Sequence, residues 1–257
     1  MKSLRNLYNE HQGKVSYKWE LYLDIYDRIF LPFRHRPIAL VEIGVQNGGS
    51  LEIWPSYFAN GVAFVGCDID SQCLLLRFTD SRISFVHGDL NTDACCHAIF
   101  SITPSWDIFI DDGSHRSQDI IMSFINYFRF LKPGGIYVVE DLHCAYWASH
   151  GGGIVNAVSS MNFFKMLCDM LNVDHWQSQL APQSLFASFF PGPQHLNADL
   201  FSQIMSVTFY NSMCVIEKRG EHQLNQLGEH IIVGNEALVD RAPLELRSSI
   251  QSGSSRQ

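Results

Sequence analysis

Apolar runs alternate with segments of mixed polarity along most of the chain. Five runs rich in β-prone residues predict strands, at residues 38–45, 62–69, 83–89, 106–111 and 135–141. The segments between them leave room for helices, such as residues 50–58 and 117–131. Continuous apolar strands separated by helices indicate a parallel sheet that is covered on both faces.

The order of elements changes after residue 160. Residues 161–172 predict an amphipathic helix, and residues 204–210 and 213–219 predict two strands joined by a tight turn at Asn211 and Ser212. We therefore expect an α/β fold with a mostly parallel, seven-stranded sheet, a terminal antiparallel hairpin, and helices on both faces.

The two ends of the chain differ from this core. Residues 3–36 show helical spacing, for example at Leu21, Ile25 and Ile29, which predicts an N-terminal helical cap over residues 1–36 that packs on the sheet. A partner-binding helix pair is the alternative. Residues 37–219 form the predicted core, and residues 220–257 a C-terminal extension whose Ser-rich tail, from Arg247, is predicted to be disordered.

Composition narrows the class of protein. The chain has 257 residues, of which 46% are hydrophobic, so it can bury a large core. A net charge of −8 without a basic run argues against a nucleic-acid partner, and no apolar run approaches the ~20 residues of a membrane span. The N-terminus lacks the apolar centre of a signal peptide, and the seven cysteines form no CxxC pair, so we expect a cytoplasmic protein with reduced thiols.

Acidic residues follow two of the predicted strands where each strand ends. These acids are Asp111, Asp112, Glu140 and Asp141, and two histidines come close behind them, His115 and His143. Carboxylates at the end of a buried strand are expected to face a crevice rather than the core. Oxygen ligands beside an imidazole base suit chemistry assisted by a hard metal ion.

Each of these residues also has a structural interpretation. Asp112 could cap the following helix, and Glu140 with Asp141 could be an ordinary loop start. His115 could hold a backbone carbonyl in a turn, and His143 could be a local hydrogen-bond donor. The residue types alone leave both interpretations open.

A glycine-rich turn follows the first predicted strand. Gly44, Gly48 and Gly49 allow a sharp turn and a close backbone approach to a ligand, and Ser50 is expected to cap the next helix. The separation of Gly44 from Gly48 does not match the GxGxxG pattern of dinucleotide-binding folds, which argues against a nicotinamide-dependent dehydrogenase.

Two further acids end the second and third predicted strands. Asp68 is placed to bind ribose hydroxyls, as an acid at that position does in dinucleotide folds, and Asp89 lies at the same sheet edge. The chain carries no P-loop lysine or arginine cluster for a pyrophosphate or triphosphate. This order of glycine turn, acid and acid suits a nucleoside attached to an amino acid.

Together with K132-P-G-G-I136 before the fifth strand, these motifs resemble the class I S-adenosylmethionine-dependent methyltransferases over roughly residues 37–219. The resemblance implies a Rossmann-like fold. It also implies binding residues for the methionine part, the ribose and the adenine of S-adenosylmethionine. These are Glu42, Gly44, Gly48 and Ser50 for methionine, Asp68 for ribose, and Asp89 for adenine.

A narrower resemblance involves D111-D-G-S-H115 and V139-E-D-L-H143. These motifs are similar to the cephalosporin hydroxylase and macrolide sugar O-methyltransferase group, of the macrocin and mycinamicin types. The resemblance implies that His115 is the base and that three acids hold Mg²⁺ or Mn²⁺, namely Asp112, Glu140 and Asp141. His143 and Tyr146 are candidate substrate contacts, Tyr146 in a loop with glycine hinges; aromatic packing is the alternative for Tyr146.

We therefore expect a divalent-metal-dependent O-methyltransferase that acts on a hydroxyl of a sugar, glycan or natural product. Two substrate oxygens on Mg²⁺ would suit a vicinal diol. Two competing functions remain: a cephalosporin-hydroxylase-like protein that assists oxidation and methylation of a small molecule, and a non-catalytic cofactor-binding protein. A monomer and a homo-oligomer are both open.

Overall fold

The predicted sheet is present, with seven strands, in the computed structural model, which describes residues 2–190, 198–223 and 227–253. Their order across the sheet is β3-β2-β1-β4-β5-β7-β6. The strands are β1 (Ala39–Ile43), β2 (Ala63–Asp68), β3 (Ile83–His87), β4 (Trp106–Asp111), β5 (Leu131–Val139), β6 (Ile204–Tyr210) and β7 (Met213–Lys218).

Strands β1 to β5 pair in parallel, and β7 pairs antiparallel to both β5 and β6. The central strands β1 and β4 are buried along their whole length, as expected for strands covered on both faces. The prediction of a mostly parallel Rossmann-like sheet with a terminal hairpin is confirmed.

Helices cover both faces of the sheet. On one face, Phe124 of α5 and Phe163 of α6 pack in a buried cluster with Phe109 of β4; on the other, Tyr26 of α2 packs with Ile110. The helices are α1 (Leu4–Glu10), α2 (Glu20–Ile29), α3 (Gly49–Tyr57), α4 (Asp93–Ile102), α5 (Ser117–Tyr127), α6 (Ser160–Met170), α7 (Ala198–Ser202) and α8 (Ala242–Gly253). None of the helices in the described ranges is long and apolar enough to span a bilayer.

The N-terminal region differs from the continuous helical pattern predicted for residues 3–36. Residues 11–19 are not helical and separate α1 from α2, and Leu21 is exposed. Here a tertiary contact overrides the local pattern, because the carbonyl of Val15 accepts a hydrogen bond from the amide of Gly49 at the start of α3 (3.2 Å). We call residues 14–19 the N-terminal strap.

Residues 227–253 belong to a compact unit of their own. Helix α8 continues to Gly253, into the Ser-rich tail, whose disorder stays a prediction. The Asp240 carboxylate accepts a hydrogen bond from the amide of Ala242 at the start of this helix. The remaining tail, residues 254–257, lies outside the described residues.

The carboxyl ends of β1 and β4 are held close together. The amide of Asp112 donates to the carbonyl of Ile43 (3.1 Å), and Gly44 follows directly with a φ of +81°. A Cβ atom on Gly44 would lie 1.9 Å from the carbonyl oxygen of Asp112. Gly44 therefore allows the turn after β1 to pass against the end of β4.

We predict that Gly44→Ala lowers the free energy of unfolding by more than the ~1–2 kcal/mol expected from a positive φ alone, because β1 or β4 must also move. Urea unfolding measures the loss. Gly134→Ala is the matched control, since Gly134 has a φ of +74° but no atom within 4 Å of the added Cβ. Equal losses in the two variants would contradict this role of Gly44.

Candidate active site

A cavity of about 790 Å³ lies at the carboxyl edge of the sheet. The strap lines one wall, through residues 15–18. The cavity is lined by residues predicted to bind the methyl donor, namely Gly44, Ser50, Asp68 and Asp89. It is also lined by residues predicted for the metal and the base, namely Asp112, His115 and Asp141. The structure thus brings the two predicted halves of the site together.

Asp68 is oriented by the backbone around it. Its two carboxylate oxygens accept hydrogen bonds from the amides of Gln46 and Asp70, each at 2.9 Å. Gly48 is not among the cavity-lining residues; it is the N-cap of α3, with a φ of +85°. The predicted binding roles of Asp68, Asp89 and Gly48 stay predictions.

The prediction that Ser50 caps the helix is wrong. Because Gly48 enters α3 in a left-handed conformation, Ser50 lies inside the first turn. Its hydroxyl donates to Glu42 Oε2 (2.8 Å), and the Trp54 indole donates to the same oxygen (2.9 Å). Glu42 is fully buried and is not among the residues that line the cavity, so in this structure it ties β1 to α3.

Lys18, at the end of the strap, lies among the acids of the predicted metal site. Its ammonium is 2.5 Å from Asp112 Oδ2, 2.6 Å from Glu140 Oε1 and 3.5 Å from Glu42 Oε1, and its side chain is only 4% exposed. Tyr26 also donates a hydrogen bond to Glu140 Oε1. One buried cation therefore neutralises part of a buried acidic cluster.

Burial and charge act in opposite directions on this cluster. Burial alone would lower the pKa of Lys18, but Asp112, Glu140 and Glu42 outweigh it, so the pKa lies well above its usual range and the ammonium stays charged. Burial, followed by the charge of Asp112, raises the pKa of Glu140 in spite of Lys18. Lys18 therefore offsets part of the effect that burial has on Glu140.

Three side chains within the described ranges meet closely enough to share a metal ion. Ligand atoms of Asp112, His115 and Asp141 all lie within 4.8 Å of one another. His115 Nε2 is 3.9 Å from Asp112 Oδ1 and 3.8 Å from Asp141 Oδ2. The two carboxylates suit a divalent ion, and the imidazole lies directly beside them.

His115 and Asp141 both adopt left-handed backbone conformations, with φ values of 55° and 48°. Such conformations are uncommon for residues other than glycine and are enriched at functional sites. The helix-capping alternative for Asp112 is wrong, because α5 begins at Ser117 with Arg116 as its N-cap and no side-chain cap. Whether Glu140 is a ligand stays a prediction, since its Oε1 already accepts from Lys18 and Tyr26.

Asp111, the neighbour of Asp112, points to a different environment. It is buried, and its carboxylate accepts hydrogen bonds from the Tyr137 hydroxyl (3.2 Å) and the Gly113 amide (3.4 Å). Burial raises the pKa of Asp111 to about 6. The structure thus separates the two adjacent aspartates, Asp112 in the acidic cluster and Asp111 buried in the lining of the same cavity.

The predicted substrate contacts lie outside the cavity lining. His143 bonds the hydroxyl of Ser212, and its ring contacts the rings of Trp19 (6.4 Å) and Trp147 (4.9 Å). Tyr146 is 44% exposed. Both residues therefore sit near exposed aromatic surface, and their roles in substrate binding stay predictions.

Three residues of the site were missed in the sequence, namely Lys18, Trp19 and Tyr22. Trp19 Nε1 and the Tyr22 hydroxyl both donate to Asp141 Oδ1, at 3.0 and 2.8 Å. The one sequence feature that could have pointed to Lys18 is its position between two aromatic residues, in Y17-K-W19. Nothing local, however, indicates which acids it meets.

No protein-family model matches the chain, but curated proteins do. The chain is 36% identical over 172 residues to 8-demethyl-8-alpha-L-rhamnosyl tetracenomycin-C 2'-O-methyltransferase of Streptomyces olivaceus, covering 63% of this chain and 44% of the relative. It is 30% identical over 200 residues to demethylmacrocin O-methyltransferase of Streptomyces fradiae, covering 75% and 47%. The chain spans about half the length of these relatives.

A solved structure is similar along most of the chain. It is MycE methyltransferase from the mycinamycin biosynthetic pathway, in complex with Mg, S-adenosylhomocysteine (SAH) and mycinamycin VI, with a TM-score of 0.69 and 25% identity. The match covers 90% of this chain and 57% of MycE. The chain is a homologue of the natural-product sugar O-methyltransferases. The predicted resemblance to these class I methyltransferases is therefore confirmed.

We predict that Lys18→Met destabilises this methyltransferase homologue by ~3–5 kcal/mol, because buried carboxylates lose their counter-charge. Urea unfolding at pH 7 in EDTA measures the change. Lys14→Met is the matched control: Lys14 pairs with Glu52 in the same strap, but both side chains are partly exposed, and such a pair contributes ~0–1 kcal/mol. A loss no larger than that of the control would refute the central role of Lys18.

We also predict that Asp111→Asn changes the pH dependence of stability. The folded protein holds the Asp111 proton up to a pKa of about 6, whereas an unfolded aspartate titrates near ~3.9, so the wild type loses stability relative to the variant as pH rises between these values. The difference should reach about 3 kcal/mol at pH 7. Urea unfolding of both proteins at pH 4 and pH 7 tests it, and a pH-independent difference would be the contrary result.

Proposed function

We propose that the chain is an S-adenosylmethionine-dependent, divalent-metal-dependent O-methyltransferase that acts on a sugar hydroxyl of a natural product. The observation that carries the proposal is the single cavity shared by Asp68 and Asp89 on one side and Asp112, His115 and Asp141 on the other. The MycE complex with Mg, SAH and mycinamycin VI supports the same combination of ligands.

The glycine turn and the acids of β2 and β3 are proposed to bind the methyl donor. Gly44 and Ser50 line the cavity at the end of β1, where the methionine part would lie. Asp68, fixed by two backbone amides, would accept hydrogen bonds from the ribose hydroxyls, and Asp89 would contact the adenine. Glu42 holds Ser50 in this wall by accepting a hydrogen bond from its hydroxyl.

Asp112 and Asp141 are proposed to hold Mg²⁺ or Mn²⁺, and Glu140 stays a candidate ligand. A bound Mg²⁺ supplies Lewis-acid polarisation of a hydroxyl, and it prefers a few carboxylates plus waters, which leaves positions suited to a vicinal diol. His115 Nε2 lies beside this site, 3.9 Å from Asp112 Oδ1 and 3.8 Å from Asp141 Oδ2.

In the proposed reaction, the acceptor oxygen forms a bond to the methyl carbon while the carbon–sulfur bond of the donor breaks. His115 Nε2 takes the proton of the acceptor hydroxyl, since imidazole exchanges a proton near neutral pH. The strap forms the wall of the cavity on this side. The presence of the base His115 together with Asp112 and Asp141 favours a catalytic function, because a protein that only binds the cofactor needs no base.

We predict that the wild-type protein binds SAH in calorimetry and methylates a glycosylated natural product, for which mycinamycin VI is the probe, and that EDTA stops the turnover. Asp141→Asn should lose the metal-dependent turnover and keep nearly the same SAH affinity. Asp24→Asn, an exposed aspartate of α2, is the control and should resemble the wild type.

Two results would count against the proposal. Failure to bind SAH at high protein concentration would exclude the methyltransferase function. Full turnover in EDTA would remove the metal from the mechanism and leave His115 to act alone. Turnover of a different glycoside, in place of mycinamycin VI, would keep the reaction and change only the acceptor.

A further inference from the structure

Residues at the junction of the strap and α2 make direct contacts with both candidate metal-binding aspartates. Each aspartate has one carboxylate oxygen engaged by this junction. Lys18 Nζ lies 2.5 Å from Asp112 Oδ2, and Trp19 Nε1 and the Tyr22 hydroxyl donate to Asp141 Oδ1 at 3.0 and 2.8 Å. The contacts come from residues 18–22, far in sequence from the sheet edge.

The other oxygen of each aspartate faces the same point. Asp112 Oδ1 is 3.9 Å and Asp141 Oδ2 is 3.8 Å from His115 Nε2. The engaged and the facing oxygens are therefore different atoms in both residues. A carboxylate held by one oxygen cannot rotate freely, so its second oxygen keeps a fixed direction.

Tyr22 holds Asp141 in a second way. The backbone amide of Asp141 donates to the Tyr22 hydroxyl (3.0 Å), and this hydroxyl also contacts the Ser212 carbonyl (2.9 Å). Asp141 has a φ of 48°, a conformation that surrounding contacts must maintain. Tyr22 thus fixes the backbone of Asp141 as well as its side chain.

We propose that Lys18, Trp19 and Tyr22 are positioning residues of the divalent-metal site: they occupy Asp112 Oδ2 and Asp141 Oδ1 and leave Asp112 Oδ1 and Asp141 Oδ2 for the ion beside His115. The inference rests on the metal site of the proposed function. It adds that the N-terminal region, outside the strand-and-helix core, determines metal affinity.

The strap is anchored well enough to carry this role. The amide of Lys14 donates to Glu52 Oε2 (2.8 Å), and Val15 is bonded to the amide of Gly49. A Cβ atom on Gly49 would lie 2.4 Å from the Lys14 carbonyl oxygen, so the strap passes directly against the start of α3. The partners of the aspartates are therefore held in place at one end by α3 and at the other by α2.

Tyr22→Phe and Trp19→Phe test the proposal, because each removes a donor to Asp141 Oδ1 without changing charge. Loss of an outer partner of a metal ligand commonly weakens metal affinity by ~10–100-fold, so the Mn²⁺ dissociation constant, measured by calorimetry, should rise at least ~10-fold in Tyr22→Phe. Trp19→Phe should show a smaller rise, since Tyr22 remains.

The control is Tyr57→Phe, which removes a hydroxyl of α3 that neighbours Asp27 instead of an aspartate of the site. It should bind Mn²⁺ like the wild type. SAH affinity, measured on the same samples, should be unchanged in all three variants, whereas a general loss of structure would lower it too. Trp19 is 52% exposed, so Trp19→Phe keeps the test valid even where Tyr22→Phe folds poorly.

Wild-type Mn²⁺ affinity in both phenylalanine variants would overturn the positioning role while leaving the metal site intact. A wild-type protein that binds SAH but not Mn²⁺ would instead overturn the metal part of the proposed function, and this inference with it. A parallel loss of SAH and Mn²⁺ binding in Trp19→Phe would also overturn the inference, because it would show a structural role only.

Discussion

The rest of the site depends on the ammonium group of Lys18, buried between Asp112 and Glu140. Parallel strands bring their carboxyl ends to one edge, so acids that follow neighbouring strands are forced together. Without a cation these carboxylates would repel one another in a poorly solvated position. Lys18 allows the sheet edge to hold several acids at short range before any ion binds.

This arrangement divides the site between two parts of the chain. The sheet supplies the groups that would face ligands, at the ends of β1, β2, β3, β4 and β5. The strap and α2 supply a cation and hydrogen-bond donors that contact and orient the acids. Tyr26 connects the packing of α2 to the polar site: its ring lies in the apolar cluster against the sheet, and its hydroxyl donates a hydrogen bond to Glu140.

The parts of the molecule that could be predicted from the sequence are those that local pattern determines. The strands follow from apolar runs, and Gly44 and Asp112 were found because they come directly after such runs. Ser50 was misjudged because the left-handed Gly48 begins the helix earlier than the residue preference for an N-cap suggests. Lys18 could not be found, since its partners lie 94 and 122 residues away and are chosen by tertiary packing.

The contact between Val15 and Gly49 also bears on where a functional module begins in this chain. A segment cut at β1 would keep Gly44, Asp68, Asp112 and Asp141, and by the pattern of strands it would look complete. It would lack a wall of the cavity and the counter-charge of its acids. When domains are exchanged between homologues, the N-terminal junction should therefore lie before Lys14, so that the strap and the sheet come from the same protein.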